Sequence, residues 1–446
     1  MRVVARVGTG SLLCLLALLQ GDAFGADRGN EIDSLLTRSC RYGLFNGAAL
    51  IAEGGKVVLE KGYGFADLEW GIPNTADTKF RLGSVTKQFT AMLVLQLVEA
   101  GAVALDSTIS TYLPYYREDT GRKVTIHHLL CHQSGIPNFT ENPAYQEFSK
   151  LPTAIERLIQ DRCSGDLEFE PGSRYRYSNS NYVILGAIIE AVTGSSYEEV
   201  LKERILTPLG MHGSGYDWHA PLIKHRAAGY QPTLEGYENA RYIDMSVPHG
   251  AGALYSTVHD MFLWDRALYT DTLLSAPYRE KLFTPNLQNY AYGWGVRTLP
   301  VGDTGDSVLV TGHTGGINGF QAIIQRVPEN GHLIVLLSNT VGAKLGELSR
   351  AAFNILYDQP YEMPKRSLAP RLFHVIAEDG IDSAVGRYRE LKSAHANEYD
   401  FGEFELNLLG YGLLERGMID EAIEILKLNV EAYPGAFNTY DSLGEA

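Results

Sequence analysis

Two apolar runs meet at Gly54-Gly55 in residues 47–66, GAALIAEGGKVVLEKGYGFA. Short runs of this kind around a glycine pair predict a β-hairpin. The period then changes. RLGSVTKQFTAMLVLQLVEAG, residues 81–101, is apolar on nearly every face, which predicts a buried helix over about 84–100. LDSTISTYLP is polar and turn-rich, and from about 125 to 285 helical patterns dominate. VTIHHLLCHQSGIPNF reads as one helix, and NYVILGAIIEAVTG, ending on Gly194, as another. Short β-like runs return in DSVLVTGHTGG, GFQAIIQRVP and GHLIVLLSNT, and a helix follows at about 342–357. Strands at both ends with helices between predict an α/β fold, its sheet closed by distant segments around an inserted helical region.

After DQPYEMPKRSLAP the character changes again, with Pro360, Pro364 and Pro370 marking a linker. Beyond it, Leu409-Gly410 returns as Leu443-Gly444, and Gly417, Ala422 and Pro434 sit where a helical repeat expects small residues and a closing proline. The segment resembles one full tetratricopeptide unit and the start of a second, with IDSAVGRYRELK as a degenerate earlier unit; two plain amphipathic helices are the alternative. Such units stack on neighbours, and the pattern breaks off in mid-repeat, so a truncated repeat or a surface for a protein partner is expected. The chain divides accordingly into residues 1–25, 26–360, 361–402 (linker and degenerate unit) and 403–446 (incomplete repeat).

The first 25 residues carry Arg2 and Arg6, a short apolar centre SLLCLLALL, and Ala23-Phe24-Gly25 as small residues for cleavage. This is the pattern of a secretory signal peptide, too short for a membrane span, and it predicts a secreted or periplasmic protein. Cys14 follows Leu13 rather than a small residue, so no stable membrane anchor is expected. The formal net charge is −15 with no basic run, which argues against nucleic acid as a partner. Of four cysteines, Cys40, Cys131 and Cys163 outlast cleavage; one disulfide is allowed, and the sequence does not choose the pair. Neither CxxC nor HExxH occurs, so neither metal nor cofactor is expected.

Candidate chemistry starts at Ser84 and Lys87. A serine before a helix ordinarily caps it, and Glu or Gln three residues later completes the cap. Here a lysine stands there, facing the positive end of the helix dipole. Burial and that dipole both lower a lysine's pKa, which is what a serine needs from a neighbouring base. In FEPGSRYRYSNSNY a Pro-Gly turn precedes Tyr177-Ser178-Asn179 and a helix. Tyr177 is a proton relay if a nearby ammonium favours its phenolate, or simply a buried tyrosine. Asn179 holds a substrate amide, positions Lys87, or caps the helix. In VLVTGHTGGINGF, His313 and Thr314 are candidates for contacting an acyl group or a carboxylate. Gly315-Gly316 lets a ligand approach the backbone, and the N–H of Gly316 can join that of Ser84 in an oxyanion hole. Tyr255, Tyr292 and Trp294 are candidate wall residues, and AYGWGV either lines the cleft or is a core strand.

The order S-x-x-K, Y-x-N, H-T-G, together with LDSTISTYLP, HLLCHQSGI and FEPGSRYRYSNSNY, resembles the serine β-lactamase and penicillin-binding protein superfamily, closest to its class C-like serine hydrolases. The resemblance covers about residues 31–357. It implies an antiparallel sheet flanked by helices plus an inserted α-helical domain, with the site between them and the helical repeat following. It also implies Ser84 as acylated nucleophile, Lys87 and Tyr177 sharing proton transfer, Asn179 holding Lys87 and substrate, and Ser84 and Gly316 forming the oxyanion hole. The expected substrate is an ester, amide or D-amino-acid peptide. The family's β-lactamases usually carry Lys-Thr-Gly at the third motif. His313 replaces that fixed charge with a mostly neutral ring, which favours esterases and peptidases over a true β-lactamase. A non-catalytic wall-peptide or partner-binding protein is the alternative of another class.

Overall fold

The structure is a computed structural model that describes residues 27–303 and 305–446; the stretch read above as a signal peptide, with Cys14 in it, lies outside the described residues. A helix over residues 27–41 (α1) leads into β1 (Gly47–Glu53) and β2 (Lys56–Tyr63). Their turn is made at Gly54 and Gly55, both left-handed at φ +55° and +83°, where a side chain would be strained. Far downstream come β3 (Gly295–Pro300), β4 (Ser307–Ile317), β5 (Phe320–Val327) and β6 (His332–Ser338). The six form one antiparallel sheet in the order β3-β4-β5-β6-β1-β2, closed where Gly47 to Ala52 pair with Ser338 to Leu333.

Alternation along β1 divides two hydrophobic layers. Ala49 and Ile51 face α1 and the helix Leu345–Leu356 (α4), packing with Leu35, Leu36, Ile334, Leu336 and Phe353. Ala48, Leu50 and Ala52 face the helical region, in one core with Phe89, Leu93, Tyr182, Ile188 and Trp264. That region holds α2 (Thr86–Glu99) and α3 (Asn179–Thr193), each buried over most of its length. α2 is apolar all round because its neighbours surround it. α3 ends, as the sequence predicts, on left-handed Gly194.

Several expectations are corrected. VTIHHLLCHQSGIPNF is helical only over Ile126–Leu130; the chain then turns at left-handed His132 and Gly135. Short strand pairs, including Tyr230–Thr233 with Gly236–Asn239, interrupt the helical region. In AYGWGV, Ala291 to Trp294 form a buried approach to edge strand β3, while Gly295 and Val296 open that strand and line a cavity with Tyr177 and His313. Pro370 does not belong to the linker but opens the helix Ala369–Asp379 (α5), where its missing N–H costs nothing. Cys40, Cys131 and Cys163 are all free.

Helices Ile381–Ala394 (α6), Glu403–Leu414 (α7), Ile419–Ala432 (α8) and Phe437–Glu445 (α9) complete the chain. Gly410 lets α7 and α8 meet closely, since a Cβ there would lie 2.6 Å from Leu426. Helices α5 to α8 share a core of their own with Leu234 from the Tyr230–Asn239 hairpin, and Lys344 reaches Asp400 at 2.9 Å. The tetratricopeptide likeness itself rests on the sequence pattern. Among the described residues, no helix is long and apolar enough to cross a membrane, and no cluster of metal-ligating side chains occurs.

Candidate active site

Ser84 lies in a single 3₁₀ turn, Gly83–Val85, that feeds α2. The N-cap positions of the turn and of α2 are Leu82 and Val85, neither with a side-chain cap; the Ser84 hydroxyl faces Lys87, whose Nζ lies 3.0 Å away. The turn is shaped by contact with β4. Gly83 is left-handed at φ +51°, and a Cβ there would lie 2.8 Å from the backbone N and O of Gly316. A Cβ on Gly315 would lie 1.9 Å from the Leu82 carbonyl oxygen. The glycines of the third motif thus let strand and turn touch backbone to backbone. β3 stops pairing at Gly295–Gly312, so residues 313–317 of β4 pair with β5 on one side and turn their other edge to the cleft. Ser84 and Gly316 line the same cavity of about 230 Å³, with Phe139, Tyr145, Pro248 and Ile317 as its apolar walls.

Lys87 is fully buried. Besides Ser84, its Nζ donates to Asn179 Oδ1 and to the Ala251 carbonyl, each at 2.8 Å. No carboxylate pairs with it among the described residues. Burial without a counter-charge holds its pKa well below the ordinary 10.5. A neutral amine has two N–H bonds and one lone pair. Asn179 Oδ1 and the Ala251 carbonyl can only accept, so they take both N–H bonds and leave the lone pair to the Ser84 hydroxyl. Asn179 opens α3, and its amide nitrogen donates to Asn138 Oδ1 (3.3 Å) and Thr140 Oγ1 (3.2 Å). Of the three readings of Asn179, its bond to Lys87 supports positioning, and its place in the lining of the Ser84 cavity is compatible with holding substrate.

Tyr177 stands beside Ser84, and its ring centroid lies 5.0 Å from Lys87 Nζ. Burial raises its pKa, so it stands as a phenol. His313 is tied twice. Its Nδ1 lies 2.6 Å from the Thr314 carbonyl, which can only accept, so the ring proton sits there. Nε2 then accepts from the Tyr290 hydroxyl at 2.9 Å. Burial pushes the imidazole down to about 4, so His313 is neutral near pH 7 with neither nitrogen free for a carboxylate. Thr314 is exposed beside it.

The wall residues named from sequence lie elsewhere. Tyr255 lines a separate cavity of about 280 Å³, Tyr292 bonds His127 at 2.7 Å, and Trp294 is fully buried. The sequence reading missed Asn138, Thr140, Ala251 and Tyr290, none of which belongs to a motif. His132 is buried, its Nδ1 accepts from Ser178 N and Asn181 Nδ2 at 3.2 Å each, and its ring lies 4.3 Å from that of Tyr177.

Residues 29–357 match the Beta-lactamase family model. Penicillin-binding protein 4* of Bacillus subtilis is 30% identical over 348 residues, covering 72% of this chain and 74% of that protein. The teichoic acid D-alanine hydrolase of Staphylococcus aureus is 31% identical over 271 residues, 60% of this chain and 63% of that protein. The crystal structure of D-amino acid amidase from Ochrobactrum anthropi, with L-phenylalanine amide, superposes with a TM-score of 0.64 at 25% identity, covering 74% of this chain and 98% of the amidase. With the fold, the order of the three motifs and a match over most of its length, the chain belongs to the beta-lactamase family of serine hydrolases.

Proposed function

We propose that the protein hydrolyses an ester or amide of a small, uncharged or D-amino-acid acyl group through an acyl-enzyme on Ser84. The observation that carries this reading is the buried Lys87 without a carboxylate partner among the described residues, its Nζ 3.0 Å from the Ser84 hydroxyl and its pKa held well below 10.5 by burial. Lys87 takes the Ser84 proton as Oγ attacks the carbonyl carbon. The N–H groups of Ser84 and Gly316 receive the oxyanion. The phenol of Tyr177 gives its proton to the leaving oxygen or nitrogen and is recharged through Lys87. Water, activated by the same pair, then releases the acid.

The acyl group is read from the walls of the Ser84 cavity, which mix apolar Phe139, Tyr145, Pro248 and Ile317 with uncharged Thr140, Asn179 and Asn318, without a basic residue among the lining positions. The names of two relatives, a D-alanine hydrolase and a D-amino acid amidase, support a D-aminoacyl group. A neutral, doubly bonded His313 disfavours a substrate held by its carboxylate, as penicillins and cephalosporins are. The leader-like N-terminus supports action outside the cytoplasm.

Intact-mass spectrometry of the mature protein, mixed separately with p-nitrophenyl acetate, a D-alanyl ester and a penicillin, tests the reading. An acyl adduct or turnover with the esters, lost in Ser84→Ala, is expected, with slow or absent turnover of the penicillin. A folded protein inert to every ester would put the binding-protein alternative in its place.

A further inference from the structure

Lys87 keeps its lone pair for Ser84 because two oxygens take its N–H bonds, and one of them belongs to a turn of uncommon build. That turn, His249–Gly252, carries Ala251, whose carbonyl lies 2.8 Å from Lys87 Nζ. It opens on His249, left-handed at φ +37° and only 6% exposed. A residue with a Cβ holds that conformation where its surroundings impose it. We propose that His249, seated against Glu190, is a positioning residue: it aims the Ala251 carbonyl at Lys87 and so sets the geometry of the base. The proposal rests on the reading of Ser84 given above.

The turn is pinned by two helices. On α2, Thr90 stands one helical turn beyond Lys87, and its Oγ1 donates to the Gly250 carbonyl at 2.6 Å. With its proton used there, Thr90 Oγ1 accepts from the Tyr197 hydroxyl at 2.7 Å. On α3, a Cβ on Gly250 would lie 2.7 Å from the Tyr182 carbonyl oxygen, so turn and helix meet backbone to backbone. Gly186, also on α3, makes room for the His249 ring, since a Cβ there would lie 2.4 Å from Nδ1.

Glu190, near the end of α3, then fixes the ring. Its Oε1 accepts from Tyr197 N at 2.8 Å, and His249 Nε2 stands 3.4 Å from the same oxygen. A carboxylate oxygen can only accept, so the ring proton sits on Nε2. Nδ1 finds no hydrogen-bond partner among the described residues and packs over Gly186. The titratable groups that face the ring are Glu190, Tyr197 from the helix Tyr197–Leu201, and Tyr216 from the strand Gly215–Tyr216; the two tyrosine centroids lie 5.2 and 6.1 Å away. Neither His249 nor Glu190 is among the residues lining the Ser84 cavity, whereas Pro248, Ala251 and Gly252 are. His249 therefore reaches the chemistry through the backbone of the turn.

Acylation by p-nitrophenyl acetate, followed over pH by stopped flow, tests this in wild type, Lys87→Ala, His249→Phe and His249→Gln. His249→Phe keeps a ring in the slot and loses the contact with Glu190. The saturating rate should fall about tenfold with KM unchanged, as a slightly misplaced base implies. An ammonium gains more from a carbonyl than an amine does, so a displaced Ala251 carbonyl lets Lys87 lose its proton more readily. The acid limb should therefore move to lower pH. His249→Gln keeps an N–H for Glu190 and should recover most of both effects. Should His249→Phe not fold, Gly186→Ala displaces the ring from within a helix that favours alanine, and the same two results are expected of it. A limb that does not move down, or a KM that rises as the rate falls, would overturn the positioning role; a wild-type limb that is lost in Lys87→Ala would still uphold the reading of Ser84. A wild type inert to the ester, or a limb that survives in Lys87→Ala, would overturn that reading and the positioning role with it.

Discussion

Lys87 can act as a base only while its two N–H bonds are occupied elsewhere and its lone pair faces Ser84. Asn179→Ala removes one of the two acceptors and frees the amine to turn. Acylation measured by stopped flow should slow about 100-fold, at the lower end of what a positioned base contributes, with KM little changed. His132 acts one step further out, as a positioning residue. His132→Phe keeps a ring against Tyr177 but leaves the Ser178 N–H without its acceptor. It should lower kcat roughly tenfold with KM held, since displacing a proton-transfer group weakens the chemical step rather than binding. An equal rise in KM would show that the ring shapes the substrate pocket instead. At this scale the sequence was most legible where a residue broke a local rule: a lysine where a capping acid belongs announces its environment. Asn138, Ala251 and Tyr290 break no rule in sequence. They matter only because the fold brings them to Lys87, Asn179 and His313 from far away along the chain.

Elements were legible in proportion to their periodicity. α2 and α3 stand out because a helix enclosed on all sides must be apolar on all sides. The stretch after Leu130 misled because its apolar residues serve a packed loop, which His132 and Gly135 turn through left-handed conformations that no hydrophobic pattern encodes. Edge strand β3 was missed because half its residues face solvent and a glycine opens it. Among the C-terminal helices, Glu405 carries a role that its charge would not suggest. It is almost fully buried in α7, and one oxygen accepts from Ser367 Oγ (2.6 Å), Leu368 N (2.7 Å) and Ala369 N (3.1 Å) at the start of α5. Glu405→Ala strands those donors in a buried place and should cost about 2 kcal/mol. A thermal melt should show the C-terminal helices loosened, while esterase activity at 25 °C persists; loss of both together would mean that the two cores unfold as one.

At the scale of the whole molecule, burial holds several histidines below their ordinary pKa. His127, His128, His132, His313 and His332 all have pKa values lowered from 6.5, with burial the leading cause in each. A group whose folded pKa is depressed binds fewer protons folded than unfolded, so stability is present above 6.5 and falls as pH drops below it. The melting temperature should therefore decline between pH 6.5 and about 5, before most carboxylates titrate; a flat profile there would contradict the histidine assignments. The antiparallel sheet closed by residues 47–52 and 333–338 was legible from the return of short apolar runs near the chain's far end. The charge map around the cleft was not, because it depends on which residues the closure buries.

The claim on which the account turns is that Lys87 is the neutral base for Ser84. The pH dependence of acylation by p-nitrophenyl acetate, in wild type and Lys87→Ala, tests it most directly. The account predicts that wild-type acylation is at its plateau near neutral pH, its acid limb well below the ordinary lysine value of 10.5. It predicts that Lys87→Ala lowers the rate by 100-fold or more, as removal of a general base does, and abolishes that limb. A wild-type rate that rises only near pH 10, or a limb that survives in Lys87→Ala, would contradict it.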